Sequence, residues 1–189
     1  ELSWPTACLG WIPLIAGLAI RQATSAFGVA SELKWPNDVV IDAQAHDGSP
    51  GPRKLAGILA ERRGDAVVVG VGINVSHTQP ELPIPAATSL AIEGVDCNRS
   101  ALLAACLRQW MSMWDRLRVS GGDAEASGIR QAYLAQSLAV GRRVRVVAVR
   151  PRPVARGILS ALAGIGLGAD PVHRDRQRFV RLRSQRAQR

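Results

Sequence analysis

Two apolar runs, Lys54 to Glu61 and Asp65 to Asn74, limit the folds open to this chain more than any other feature. The second is a β-branched valine run bounded by glycines, the pattern of a buried central strand rather than of a helix. Two such runs in close succession predict an antiparallel hairpin or meander, because strands joined by a short link pair most directly with each other. A sheet of this kind needs a second layer against its apolar face. The rest of the chain must supply that layer.

Leu14, Ile15, Leu18, Ala19 and Gln22 follow helical spacing, with Pro13 near the first turn, and predict an amphipathic helix over 13–25 that packs on the sheet. Glu32 to Trp35 and Asp38 to Asp42 read as short extended segments around Pro36, since proline pushes the residue before it toward extended backbone. The polar Gly/Pro-rich stretch from Ala43 to Arg53 joins strands, and Thr78 to Ala87, with three prolines, is a loop. A second helix is predicted from Ser100 as N-cap, with Leu103, Cys106, Leu107, Trp110, Met113, Trp114 and Leu117 recurring at three- and four-residue steps as a core-facing stripe. After Gly121 and Gly122 a weaker helix spans Ala124 to Ser137. Val144, Val146 and Val149 then begin a small β module. Hairpins mixed with helices, without regular βαβ repeats, predict an α+β fold.

At 189 residues and 47% apolar, the chain can bury one substantial core. Its richest early apolar stretch, Trp11 to Ile20, is interrupted by Pro13 and stopped by Arg21, which argues against a membrane span and makes a cytoplasmic protein the expectation. Cys8, Cys97 and Cys106 are odd in number and lack CxxC spacing, so they read as buried thiols rather than as disulfides or zinc ligands. The formal charge of +9 is uneven: residues 1–140 carry 11 Lys and Arg against 13 Asp and Glu, while residues 141–189 carry 13 against 2. The basicity therefore belongs to the tail, and arginine-rich tails are more often solvated than specific nucleic-acid binders. The start at Glu1, entering apolar sequence almost at once, reads as a fragment or a start assigned too late.

Four motifs place charged or amide side chains beside structure-fixing residues. In Lys34-Trp35-Pro36-Asn37-Asp38, a stiff Trp-Pro pair aims an amide and a carboxylate, a combination suited to magnesium shared with phosphate oxygens. A bare Pro-Asn-Asp tripeptide is most often a turn; Lys34 and Trp35 raise it above that reading. Lys54 opens the run Lys54-Leu55-Ala56-Gly57-Ile58-Leu59, and Lys34 and Lys54 are the chain's two lysines. A cation at a partly buried strand position can offset charge that builds in a transition state, although a lysine at a strand start is commonly solvent-facing. Gly57 inside a strand marks close approach of a ligand or backbone. In Gly70-Val71-Gly72-Ile73-Asn74, alternation sets Gly70, Gly72 and Asn74 on one face, a flat floor with a polar end. No GxGxxG continues into a helix, which excludes a dinucleotide-binding Rossmann turn. Ala87-Thr88-Ser89-Leu90 is weak alone and could be a cap or loop.

Taken in order and spacing, KWPNDVVI, KLAGILAE, VGVGINV and ATSL resemble the catalytic domain of biotin–protein ligases, over about residues 10–147 and including a preceding WxPLxAG-like helix. The resemblance implies a class II aminoacyl-synthetase-like α+β domain with a mixed sheet flanked by helices, followed by a small SH3-like β-barrel. It divides the chain into a catalytic domain at 1–139 and, at 140–189, a remnant or aberrant β module with a basic tail. It implies attack of the biotin carboxylate on the α-phosphate of ATP, giving biotinyl-5′-AMP, and transfer to a lysine of a biotin carboxyl carrier protein, and it is compatible with a homodimer. Lys54 matches the lysine that contacts biotin and the α-phosphate. Lys34, Asn37, Asp38 and Asn74 match the ATP and Mg²⁺ network, with Asp38 meeting the metal through phosphates. Gly57, Gly70 and Gly72 match positions beside the biotin ring system, and Trp35 a packing or adenine-side element.

Two departures accompany these matches. The family's Gly/Arg-rich loop, of the GRGRxGRxW kind, is absent upstream of Leu2-Ser3-Trp4, and it shields the mixed anhydride from water. This chain is accordingly expected to make or retain biotinyl-AMP poorly. From about Val147 the Arg/Ala/Gly/Pro-rich tail shows no strand alternation and resembles GC-rich coding DNA translated in a shifted frame. The competing readings are a lipoate–protein ligase of the same fold, and an inactive remnant whose basic tail binds nucleic acid non-specifically.

Overall fold

The computed structural model describes residues 6–41, 51–64, 66–141, 143–145, 167–172 and 179–184. The chain forms two compact units, residues 1–136 and 137–189.

The first unit begins with a short turn of helix, α1 (Thr6–Leu9), and then α2 (Trp11–Ala26). Eleven of the sixteen α2 residues are buried, almost all round the helix, so it is an interior element rather than a surface amphipath. One side packs on the sheet. A side chain at Gly17 would press on Leu33 Cδ2 at 3.3 Å and Ile58 Cδ1 at 3.4 Å, so the glycine lets helix and strands approach. The sheet is the meander β1 (Glu32–Lys34), β2 (Asp38–Ile41), β3 (Arg53–Arg63) and β4 (Ala66–Ile73), antiparallel throughout in the order β1-β2-β3-β4. A parallel bridge from Lys54 to Ala87 adds mixed pairing at the start of β3.

The valine run, expected as a buried central strand, stands instead at the edge of this sheet among the described residues, and its even-numbered positions are exposed. Gly70 and Gly72 carry no side chains to cover that face, and no described strand pairs with its outer edge.

The long helix α3 (Arg99–Val119) packs against α2. Its N-cap is Asn98, not Ser100: Asn98 Oδ1 accepts from Ser100 N at 2.9 Å and Ala101 N at 3.1 Å. An Asx side chain two residues ahead of Ser100 takes the free amides first. The buried stripe also differs from expectation, because Leu102, Ala105, Met113 and Leu117 face inward while Leu103 and Leu107 are more than half exposed. Trp110 and Trp114 are half-buried and meet edge to face, with ring centroids 6.2 Å apart. The third helix, α4 (Ile129–Gln136), starts later than the expected Ala124, and residues 124–128 form turns. Ala23, Val29, Ile41, Leu55, Val75, Leu90, Leu102 and Ala105 form a core cluster linking helices, strands and the loop after β4. Each large apolar side chain buried there contributes about 1.5–3 kcal/mol.

The second unit contains a three-stranded antiparallel sheet in the order β5-β7-β6, from β5 (Arg143–Arg145), β6 (Leu167–Val172) and β7 (Phe179–Ser184). Val146, Val149 and much of the tail lie outside the described residues. Two strands thus form where the sequence shows no alternation; their backbone ladder pairs without regard to side-chain type.

The cysteines are half-buried and free. Burial pushes the Cys106 and Cys97 thiols up, which suits inert packing groups. Among the described residues no helix is long and apolar enough to cross a membrane.

Candidate active site

Directly opposed residues in an antiparallel sheet share a face. Lys34 opposes Asp38, Asp38 opposes Gly57, and Gly57 opposes Gly72. Four of the sequence-predicted residues therefore form one row across all four strands, roughly 14 Å long at the usual spacing between strands. The row runs from a cation through a carboxylate to bare backbone. Alternation adds Gly70 and its partner Leu59 to the same face, where Leu59 is 64% exposed and offers an apolar surface beside the glycines.

Lys54 joins this face through a bulge. Strict alternation back from Gly57 would put Leu55 on the site face and Lys54 on the helix face. Val39 opposes Ala56 but Val40 opposes Lys54, so the register slips by one residue and Leu55 is the extra one. Leu55 turns into the core, fully buried, and Lys54 is re-aimed over the floor. Its ammonium lies 2.5 Å from Asp38 Oδ1. The side chain lies across Gly57: a Cβ there would meet Lys54 Cε and Nζ at 3.1 Å. Gly57 thus makes room first for the lysine itself. By contrast a Cβ at Gly72 would meet nothing within 4 Å, and one at Gly70 only Leu59 O at 3.8 Å, so the floor on that side is open.

The two asparagines serve the frame as well as the site. Asn37 Nδ2 donates to Ile58 O at 2.9 Å, and Ile58 N donates back to Asn37 O at 2.9 Å, which latches the turn before Asp38 onto β3. Asn74 Nδ2 donates to Thr88 O at 2.9 Å and reaches Lys54 O at 3.4 Å. Its amide protons are thereby directed at protein carbonyls, which leaves Oδ1 as the group suited to a cation or a donor. Lys34 is exposed at the end of the row, and Trp35 is half-buried in the turn, with a cis peptide to Pro36.

The Ala87-Thr88-Ser89-Leu90 segment, weak as a sequence signal, is fully built in: all four residues are buried. Lys54 N donates to Ala86 O at 2.8 Å and Thr88 N donates to Lys54 O at 2.9 Å. Ser89 Oγ donates to His77 O at 2.6 Å and accepts from Ile92 N. Behind it Arg53 and Glu93 form an ion pair at 2.7 Å that the sequence reading missed. Adjacent arginine and lysine at a strand start gave no signal of which would be buried.

Among the described residues no cluster of three or more His, Cys, Asp and Glu could hold a metal unaided. One carboxylate with neighbouring amide oxygens is the donor set of a magnesium ion carried mainly by substrate phosphates. The site therefore combines a cation poised over bare backbone, an adjoining carboxylate and an apolar margin. That arrangement can hold an acidic group against a flat ring and neutralise charge developing between them.

No protein-family model matches the chain. It is 37% identical over 147 residues to the biotin–[acetyl-CoA-carboxylase] ligase of Mycobacterium tuberculosis, an alignment covering 75% of this chain and 50% of that protein. Among solved structures, the apo biotin protein ligase of Aquifex aeolicus superimposes with a TM-score of 0.60 at 26% identity, over 75% of this chain and 60% of that one. The same ligase in complex with biotin and ATP gives 0.58 at 26% identity, over 75% and 57%. The chain thus spans about half the length of the mycobacterial relative it matches. Over three quarters of its length, this α+β chain is a homologue of the biotin–protein ligases and shares their fold.

Proposed function

We propose that the chain carries the catalytic floor of a biotin–[acetyl-CoA-carboxylase] ligase, which activates biotin with ATP and transfers it to a lysine of a biotin carboxyl carrier protein in the cytoplasm. The observation that carries this reading is the Lys54 ammonium held over Gly57 beside Asp38, in line with Gly72. A biotin carboxylate oxygen attacks the α-phosphorus and pyrophosphate leaves; the carrier amine then attacks the acyl carbon and AMP leaves. Both steps concentrate negative charge where Lys54 can meet it. The open floor at Gly70 and Gly72, with Leu59 at its margin, takes the apolar ring of biotin. Asp38, with the oxygens of Asn37 and Asn74, would hold Mg²⁺ on the ATP phosphates, where the ion neutralises phosphate charge; Lys34 extends the network. Residues 1–139 form the catalytic domain and 140–189 a β module related to the family's terminal barrel.

The test is incubation with ATP, Mg²⁺, biotin and a carrier domain, comparing the chain with Lys54→Ala. Carrier labelling is expected to fall about 10²–10³-fold in the variant. Labelling unchanged by the substitution overturns the assignment, and lipoate labelled in place of biotin overturns the substrate.

A further inference from the structure

Resting on the reading of Lys54 as the electrostatic catalyst, we propose that Arg53, Thr88 and Glu93 are positioning residues, a buried clamp that sets where Lys54 stands. The Lys54 backbone is held by the segment that follows β4. Both of its main-chain groups bond to the 86–88 segment, in addition to the pairing of Lys54 with Val40 of β2: N–H to Ala86 O at 2.8 Å, and C=O from Thr88 N at 2.9 Å. The height of the Lys54 Cα over the floor therefore follows the position of that segment, not the sheet ladder alone.

Arg53 ties the segment down from the other face of β3. It opposes Ile41, whose side chain lies in the core, while its neighbour Lys54 points over the floor. The Arg53 and Glu93 side chains are only 6% and 14% exposed, and the pair closes at 2.7 Å. Arg53 Nη1 also reaches Thr88 Oγ1 at 3.5 Å, and the buried Thr88 hydroxyl donates to Glu93 Oε1. Two side chains, Arg53 and Glu93, thus converge on Thr88, the residue whose amide holds the Lys54 carbonyl. Glu93 N donates to Ser89 O at 3.1 Å, so the carboxylate is mounted on the same segment that it fastens.

The clamp is a costly way to fill space. Apolar pairs of similar volume commonly replace buried ion pairs without loss of stability, and Arg53 Nε is buried without a hydrogen-bond partner among the described residues. What the charged set adds is direction, since a guanidinium fork fixes the angle and distance of its partners. Arg53 and Glu93 touch no reacting atom. They act through the backbone of Lys54.

The experiment uses the full chain and two variants, Glu93→Gln and the double variant Arg53→Met with Glu93→Leu, which removes both charges together and protects the fold from an unpaired one. Amide hydrogen exchange is followed at Lys54, Thr88 and Ile58, with Lys34 as the second of the two lysine signals after nitrogen labelling of lysine. Ile58 N donates to Asn37 O and lies outside the clamp. Exchange at Lys54 and Thr88 is expected to quicken about tenfold or more, with Ile58 and Lys34 unchanged. In carrier labelling, kcat should fall about tenfold with KM for biotin little altered. Acceleration of all four amides together, which marks general loosening, overturns the proposal, as does no acceleration in either variant. Exchange requires no turnover, so the absence of labelling by the parent chain would count against the proposed function and leave the clamp to be judged by exchange.

Discussion

At the scale of single residues, the site rests on differences between glycines. Gly57 is occupied by the Lys54 side chain, so Gly57→Ala should lift the ammonium away from Asp38. Carrier labelling is expected to drop about tenfold, while thermal stability stays within about 1 kcal/mol, because alanine suits a strand interior better than glycine. Gly72→Ala adds a methyl to open space, so its effect should fall on the KM for biotin with no loss of Tm. Equal effects on kcat from both substitutions would contradict the distinct roles. The Lys54–Asp38 pair itself adds little to stability, since the Lys54 side chain is more than a third exposed and water screens its charge. The single tyrosine reports on the core: Tyr133 is 2% exposed and burial pushes its phenol well up. A raised folded pKa gives stability that is present below the unfolded phenol value, about 10, and is lost as pH climbs above it. Phenolate absorbance should therefore appear together with loss of helical circular dichroism; phenolate formation at about pH 10 in a still-folded chain would refute this.

At the scale of elements, two local devices matter. The slip at Leu55 gives β3 different phases on either side of it, which is how a strand rich in core residues presents one lysine to the other face. Periodicity in the sequence could show a strand but not the slip, because Leu55 and Ala56 are both acceptable core residues. The second device is the cap on α3, where Asn98 holds two free amides. Asn98→Ala is expected to cost about 1 kcal/mol, lowering Tm by about 3 °C for a chain of this size. An unchanged melting curve would mean that the first turn of α3 is held by packing alone.

At the scale of the whole molecule, the site and an apolar groove lie on opposite faces of the sheet. The odd-numbered β4 residues Val67, Val69 and Val71, with Leu103, Leu107 and Trp110 of α3, line a groove of about 560 Å³. Exposed apolar surface of this kind favours association and dye binding. Leu107→Glu, at a position already 52% exposed, should reduce binding of an apolar fluorescent dye with Tm changed by no more than a few degrees. A marked fall in Tm would show that the side chain is packed in solution. The groove also explains why the helical stripe misled: Leu103 and Leu107 share the period of the core residues, but the inward face of α3 is centred on Leu102, Ala105, Met113 and Leu117.

A hairpin or meander, the three longer helices, the α+β class and the residue types of the floor could be read from the sequence, because alternation, helical period and turn residues act over a few positions. KWPND, KLAGIL and GVGIN were legible for the same reason. Tertiary structure alone decided which face each side chain takes and which groups meet. The Lys34–Asp38–Gly57–Gly72 row follows from register across four strands, and the reach of Lys54 from one bulged residue. The burial of Arg53 depends on a glutamate 40 positions away in sequence. Such pairings are fixed by packing between distant segments, and no local pattern encodes them.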